Sequence, residues 1–117
     1  MAKDREIDIN IVRNGNVSVV HVKGDIDLRS SPELRAAILD LYEKRGQEKV
    51  VLDLAGVKYI DSSGIASLVE GLQEAKKRNA KFVLCALNDA PRHVLELTRL
   101  TKVFEITGTV DEALKLG

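Results

Sequence analysis

A single cysteine in 117 residues rules out a disulfide within the chain, and Cys85 lies in the apolar run FVLCAL, where a thiol is expected to serve as a small buried hydrophobe. Aromatic residues make up only 3% of the sequence, so platforms for base stacking are scarce. Charge of one sign is missing as well: Lys+Arg and Asp+Glu are 18 each, leaving no net field to attract a polyanion. Nucleic acid is therefore not expected as a partner. No uninterrupted apolar run approaches the roughly 18 residues of a spanning helix, and MAKDREIDIN carries alternating charges where a signal peptide needs an apolar core. A cytoplasmic, soluble protein without membrane insertion is expected. Linker composition, low-complexity stretches and internal repeats are also absent. Residues 1–117 therefore read as one domain, of a size that buries roughly two-thirds of the surface its unfolded chain exposes.

What is present is a regular alternation of strand and helix patterns. Ile7, Ile9 and Ile11 alternate with Asp8 and Asn10, the period-2 mark of a strand with one buried face. Asn14, Gly15 and Asn16 supply a turn, and VSVVHVK reads as the antiparallel return strand. In SSPELRAAILDLYEKRG, Leu34, Ile38, Leu41 and Tyr42 share one helical face, Ser30 and Glu33 have capping-box spacing, and Pro32 suits the first turn. KVVLDLAGV, interrupted by Asp53, and KFVLCAL are continuous apolar runs of the kind found in parallel strands covered on both faces. Between them Ile65, Leu68, Val69, Leu72 and Ala75 mark an amphipathic helix whose outer face carries Glu70, Glu74, Lys76, Lys77 and Arg78. NDAPRHVLELTRL predicts a third helix opened by Asn88 or Asp89, KVFEI a short last strand, and Thr109 with Glu112 a capping box for a terminal helix. The sum is an α/β domain: a mixed, mostly parallel sheet entered through an N-terminal hairpin, with about four helices packed against it.

The stretch VKYIDSSGIA places Asp61, Ser62, Ser63 and Gly64 between a strand and a helix, at the sheet edge where open α/β domains usually meet ligands and partners. Asp and Ser are preferred N-caps, because their oxygens accept the orphan N–H groups of the first turn. One cap suffices, however, and three candidates stand in a row, so at least one hydroxyl can be left over. A spare serine at a helix start is a suitable phosphate acceptor, since aligned N–H groups and the positive dipole end tolerate added negative charge. Both roles stay open on the residues alone.

Other chemistries fit less well. Asp53 at a strand end could act as the phosphoacceptor of a receiver domain, but such a domain does not begin with a hairpin. A serine hydrolase needs a base and an orienting acid around a Gly-x-Ser-x-Gly elbow, and neither serine of DSSG has that frame. His21 and His93 have no adjacent Cys or His at ligand spacing, so they read as surface or packing histidines with no metal site. No GxxxxGK[ST] or GxGxxG cradle is present, so no nucleotide cofactor of the chain's own is expected.

The segments VKGDIDLRSSPEL and VVLDLAGVKYIDSSGIASLV closely resemble the STAS domains of bacterial anti-sigma-factor antagonists, and the helix-and-strand rhythm of LNDAPRHVLELTRLTKVFEI extends the likeness over roughly residues 5–115. That resemblance implies the STAS fold and a partner-switching function. The unphosphorylated form would bind an anti-sigma factor with serine kinase activity and release sigma, the kinase would inactivate it with ATP, and a serine phosphatase would reset it. By position the phosphoacceptor is Ser62, with Ser63 as supporting hydroxyl or cap and Gly64 keeping the helix mouth open. The Gly24–Asp27 element would place Asp27 near the acceptor. The expected binding patch of this non-enzymatic, monomeric regulator is Asp27, Asp61, Ser62, Ser63, Gly64 and Ile65, extended along the helix by exposed Ser67 and Glu70. A signalling-complex scaffold, or an accessory subunit of a lipid or anion transport system, are other uses of such a domain.

Overall fold

The computed structural model describes residues 7–117. Strands β1 (Ile7–Asn14) and β2 (Val17–Gly24) form the expected hairpin, joined at Gly15, whose φ of +63° costs glycine nothing sterically. The chain continues through α1 (Ser31–Glu43), β3 (Lys49–Gly56), α2 (Ser62–Lys77), β4 (Lys81–Cys85), α3 (Asp89–Leu97), β5 (Glu105–Thr107) and α4 (Val110–Lys115). The strands lie side by side in chain order, with β1 antiparallel to β2 and the remaining neighbours parallel.

Two layers cover the sheet unequally. Alternate residues Val20, Val22, Val50, Leu52, Leu54 and Leu84 meet Leu34, Ile38, Leu41 and Tyr42 of α1, and Leu68 and Ala75 of α2, in the main core. The opposite face is covered more thinly, by α4, where Ala113 packs on Val51, Val83 and Cys85. Lys49 is buried beneath that helix and donates its ammonium protons to the carbonyls of Leu114 and Leu116; burial, and then the nearby Lys81 charge, lower its pKa. The capping box of Thr109 and Glu112 that opens α4 forms as expected. Among the described residues, no helix is long and apolar enough to cross a membrane.

Several local expectations are corrected by packing. Ser30 precedes α1 but makes no capping bond, because its hydroxyl is engaged by the preceding turn, so the Ser30–Glu33 box does not form. The third helix stops at Leu97, where the Thr98 hydroxyl bonds back to Val94 and Leu95 and Arg99 turns left-handed at φ +63°. The last strand begins at Glu105 rather than Lys102. Both Val103 and Phe104 donate to the Leu100 carbonyl in a tight 3₁₀ turn that swings Phe104 into the core beside Phe82. Glu74, expected on the outer face of α2, is buried at 8% exposure, and hydrogen bonds from Arg78 and Lys77 hold its carboxyl below the usual range. In β1, Ile7 is buried and Ile11 is 38% exposed.

The Cys85 thiol is fully buried, and burial together with the neighbouring Asp53 charge pushes its pKa up to about 12 from 9.0; burial raises the Tyr42 hydroxyl as well. The folded state thus keeps these protons to higher pH than the unfolded state, so unfolding releases protons and alkali favours it. The Cys85 contribution is present below pH 9 and is lost as pH rises from about 9 to about 12. Urea midpoints measured across that window should fall more steeply for the parent than for Cys85→Ala. Parallel curves would contradict the buried thiol.

Candidate functional site

Beyond the ends of β2 and β3 the two strands separate into loops, and the backbone holds those loops together. The Ile26 N–H donates to the Tyr59 carbonyl at 3.0 Å and the Asp61 N–H to the Ile26 carbonyl at 3.1 Å, forming a parallel bridge between Ile26 and Ile60. Both isoleucine side chains are buried, so the bridge is anchored in the main core. It sets the loop containing Asp27 against the mouth of α2.

Asp61 is the N-cap. One carboxylate oxygen accepts the Gly64 N–H at 3.0 Å, and the other accepts the Leu28 N–H at 3.2 Å, tying the first loop to the helix. With that role filled by the aspartate, Ser62 and Ser63 occupy the first two helical positions. Ser62 is exposed and Ser63 half-buried, and neither hydroxyl has a hydrogen-bond partner among the described residues. A dianion on Ser62 would lie at the positive end of a 16-residue helix.

Asp27 shares the neighbourhood, but its carboxylate looks inward along its own turn. It accepts the backbone N–H groups of Arg29 at 3.0 Å and Ser30 at 3.1 Å, and the Ser30 hydroxyl at 3.2 Å. These bonds, the Ser30 N–H foremost, hold it below the usual carboxylate range. Its structural task is to shape the entry to α1, where the Ser31 N–H closes on the Asp27 carbonyl at 2.8 Å.

Gly64 does not keep the helix mouth open. It is buried, and a Cβ there would come within 2.5 Å of Ile60 Cγ1, 2.7 Å of the Ile26 carbonyl and 2.8 Å of Ile26 Cγ2. The glycine lets α2 sit directly on the Ile26–Ile60 bridge. Ile65 is half-buried against the core, with its N–H bonded to the Asp61 carbonyl at 2.9 Å. Ser67, expected on the surface, is 4% exposed, and its hydroxyl donates to the carbonyls of Ser31 and Ser63. It joins α2 to α1 and offers nothing to a partner. Glu70 is accessible and holds Arg35 of α1 at 2.6 Å.

Two further features escaped the sequence reading. Leu28 and Tyr59, on the paired loops, are 72% and 51% exposed despite their size. On the opposite face of the sheet, His21 is not an isolated packing residue. Its Nδ1–H donates to Asp53 at 2.6 Å, and the other Asp53 oxygen accepts the Ala55 N–H. Both carboxylate oxygens are thus engaged, an arrangement at odds with Asp53 as a receiver-type acceptor. The pair lines a hollow of about 390 Å³ with Asp8, Asn10, Lys23 and Gly56.

The family model of the STAS domain matches residues 8–113. The anti-sigma-B factor antagonist of Bacillus subtilis is 30% identical over 105 residues, covering 90% of this chain and 86% of that protein. Its counterpart from Listeria monocytogenes is 29% identical over 93 residues, or 80% and 81% of the two chains. The crystal structure of an anti-sigma factor antagonist from Mycobacterium paratuberculosis superposes with a TM-score of 0.82 at 31% identity, covering 92% of this chain and 91% of that one.

The role of Gly64 can be checked by thermal melting. Gly64→Ala must displace Ile60 or Ile26 and should cost about 1–3 kcal/mol, or roughly 4–8 °C per kcal/mol for a domain near this size. An unchanged midpoint would show that α2 does not rest on the bridge.

Proposed function

This chain belongs to the STAS-domain family, and on that premise we propose that it is an anti-sigma factor antagonist, a binding protein without catalysis of its own whose affinity is switched off by phosphorylation of Ser62. The observation that carries this reading is the division of labour at the start of α2: Asp61 supplies the cap, so the exposed Ser62 hydroxyl is unspent. The partner is an anti-sigma factor with serine kinase activity. In the transfer, Ser62 Oγ attacks the γ-phosphorus of ATP, the bond to the bridging oxygen breaks, ADP leaves, and the hydroxyl proton passes to a base on the kinase. A phosphatase returns the serine by hydrolysis.

Magnitudes give the switch its sign. The added group brings about −1.5 to −2 charges. Within the free domain the helix start stabilises it by about 0.3–1 kcal/mol, opposed by the Asp61 carboxylate one residue away. The fold therefore absorbs the phosphate at little net cost. Under a docked protein the same group loses water, and an uncompensated buried charge costs several kcal/mol; each 1.4 kcal/mol is about tenfold in affinity. Phosphorylation then leaves the domain folded and releases the partner. Asp61, Ser62 and Ser63 form the centre of the contact, Asp27 and Gly64 shape it from beneath, and Ile65 and Glu70 border it along α2. The protein acts as a cytoplasmic monomer.

Incubation with the cognate kinase and ATP, followed by mass spectrometry, should place one phosphate on Ser62. Ser62→Ala should bind the kinase and resist modification, while Ser62→Asp should bind at least tenfold more weakly and melt within a few degrees of the parent. Phosphate confined to Ser63, or a large loss of stability in both variants, would refute the assignment.

A further inference from the structure

We propose that Leu28 and Tyr59 are the apolar anchors by which the anti-sigma factor kinase grips this domain, supplying affinity that the acceptor Ser62 does not. The inference rests on the antagonist reading above, and it concerns how the partner is held rather than where the phosphate goes.

Single exposed apolar side chains are common on protein surfaces and mean little by themselves. These two differ in how they are mounted. The Leu28 N–H is bonded to Asp61, the residue preceding Ser62, and the Tyr59 carbonyl accepts the Ile26 N–H within the buried bridge. Each large side chain, 72% and 51% exposed, thus projects from backbone that is already fixed. Ordering them on association costs little chain entropy, because only the side-chain torsions remain to be frozen. Tyrosine combines a large contact area with two such torsions, which accounts for its enrichment among residues that dominate binding energy.

The position of the acceptor selects the occupant. An enzyme that brings the γ-phosphoryl of ATP to Ser62 Oγ must lay its surface over the residues joined to Asp61, and Leu28 is hydrogen-bonded to it. The complementary surface is an apolar recess with a polar rim of mixed sign, since the same two loops carry Arg29 and Lys58 next to the anchors as well as Asp25, Asp27 and Asp61.

The test uses the whole chain with its cognate anti-sigma factor kinase, comparing the parent with Leu28→Ala, Tyr59→Ala and Tyr59→Phe. Calorimetry should show Kd raised about tenfold by each alanine and little changed by the phenylalanine, with melting midpoints within about 2 °C of the parent. Phosphorylation at varied chain concentration should show KM raised to a similar degree while kcat stays within about twofold, the signature of lost binding with the chemistry intact. Unchanged Kd and KM in both alanine variants, with the parent bound and phosphorylated, would overturn the anchors alone. If the parent is neither bound nor phosphorylated, the antagonist reading falls and takes the anchors with it. A parent that sediments as a dimer, and that Leu28→Ala converts to monomer, would assign the pair to a second copy of this chain and overturn the proposal.

Discussion

The short parallel bridge between Ile26 and Ile60, closed by the Asp61 carboxylate, is the constraint on which the rest of the candidate site depends. Strands β2 and β3 end at Gly24 and Gly56, and without the bridge their loops would have no shared frame. Two backbone–backbone bonds and one to the Asp61 carboxylate, of 3.0–3.2 Å, join those loops above two fully or nearly fully buried side chains. Each bond alone contributes about 0.5–1.5 kcal/mol net. Their value is geometric: they make the position of Ser62, the turn at Asp27 and the exposed side chains of Leu28 and Tyr59 parts of one rigid body.

That rigidity bears on how a small covalent change can act as a switch. A flexible loop could respond to phosphate by refolding, and the outcome would depend on which conformations it could reach. Here the helix start is pinned from below by Gly64 on the bridge and laterally by the Ser67 hydroxyl between α1 and α2. A charge added at Ser62 would have nowhere to go but outward, into the proposed contact region. In the switch proposed above, the discrimination between the two states resides in desolvation, which is small for a phosphate facing water and large for one facing a protein.

Much of this was legible in the sequence because the signals were periodic or local. The hairpin, the crossover helices and the apolar strands follow from alternation and 3.6-residue spacing, and the capped start of α2 follows from DSSG at a strand-to-helix junction. Most of the failures share one cause, what tertiary packing brought opposite a residue, and the rest come from local side chains competing for the same hydrogen bonds. Ser67 and Glu74 read as outward by polarity, yet α1 and the α2 C-terminus enclose them with partners. Gly64 read as an opening because a missing side chain looks the same in sequence whether it makes room for a visitor or for the chain itself. Ser30 had the spacing of a capping box, but Asp25 and Asp27 claimed its hydroxyl first. Leu28 and Tyr59 carried no periodic mark, being single residues in loops whose pairing spans more than thirty positions.

The close seating of α2 has one more consequence. Gly71 repeats the device of Gly64 two turns on, where a Cβ would sit 3.0 Å from Phe82 and 3.1 Å from Ile38. A helix fixed at two points along its length presents a finished surface to each arriving molecule, with no slow rearrangement to await. Encounters with a partner would then be limited by diffusion and orientation, and in the proposed switch the tempo would pass from the domain to the enzymes that add and remove the phosphate.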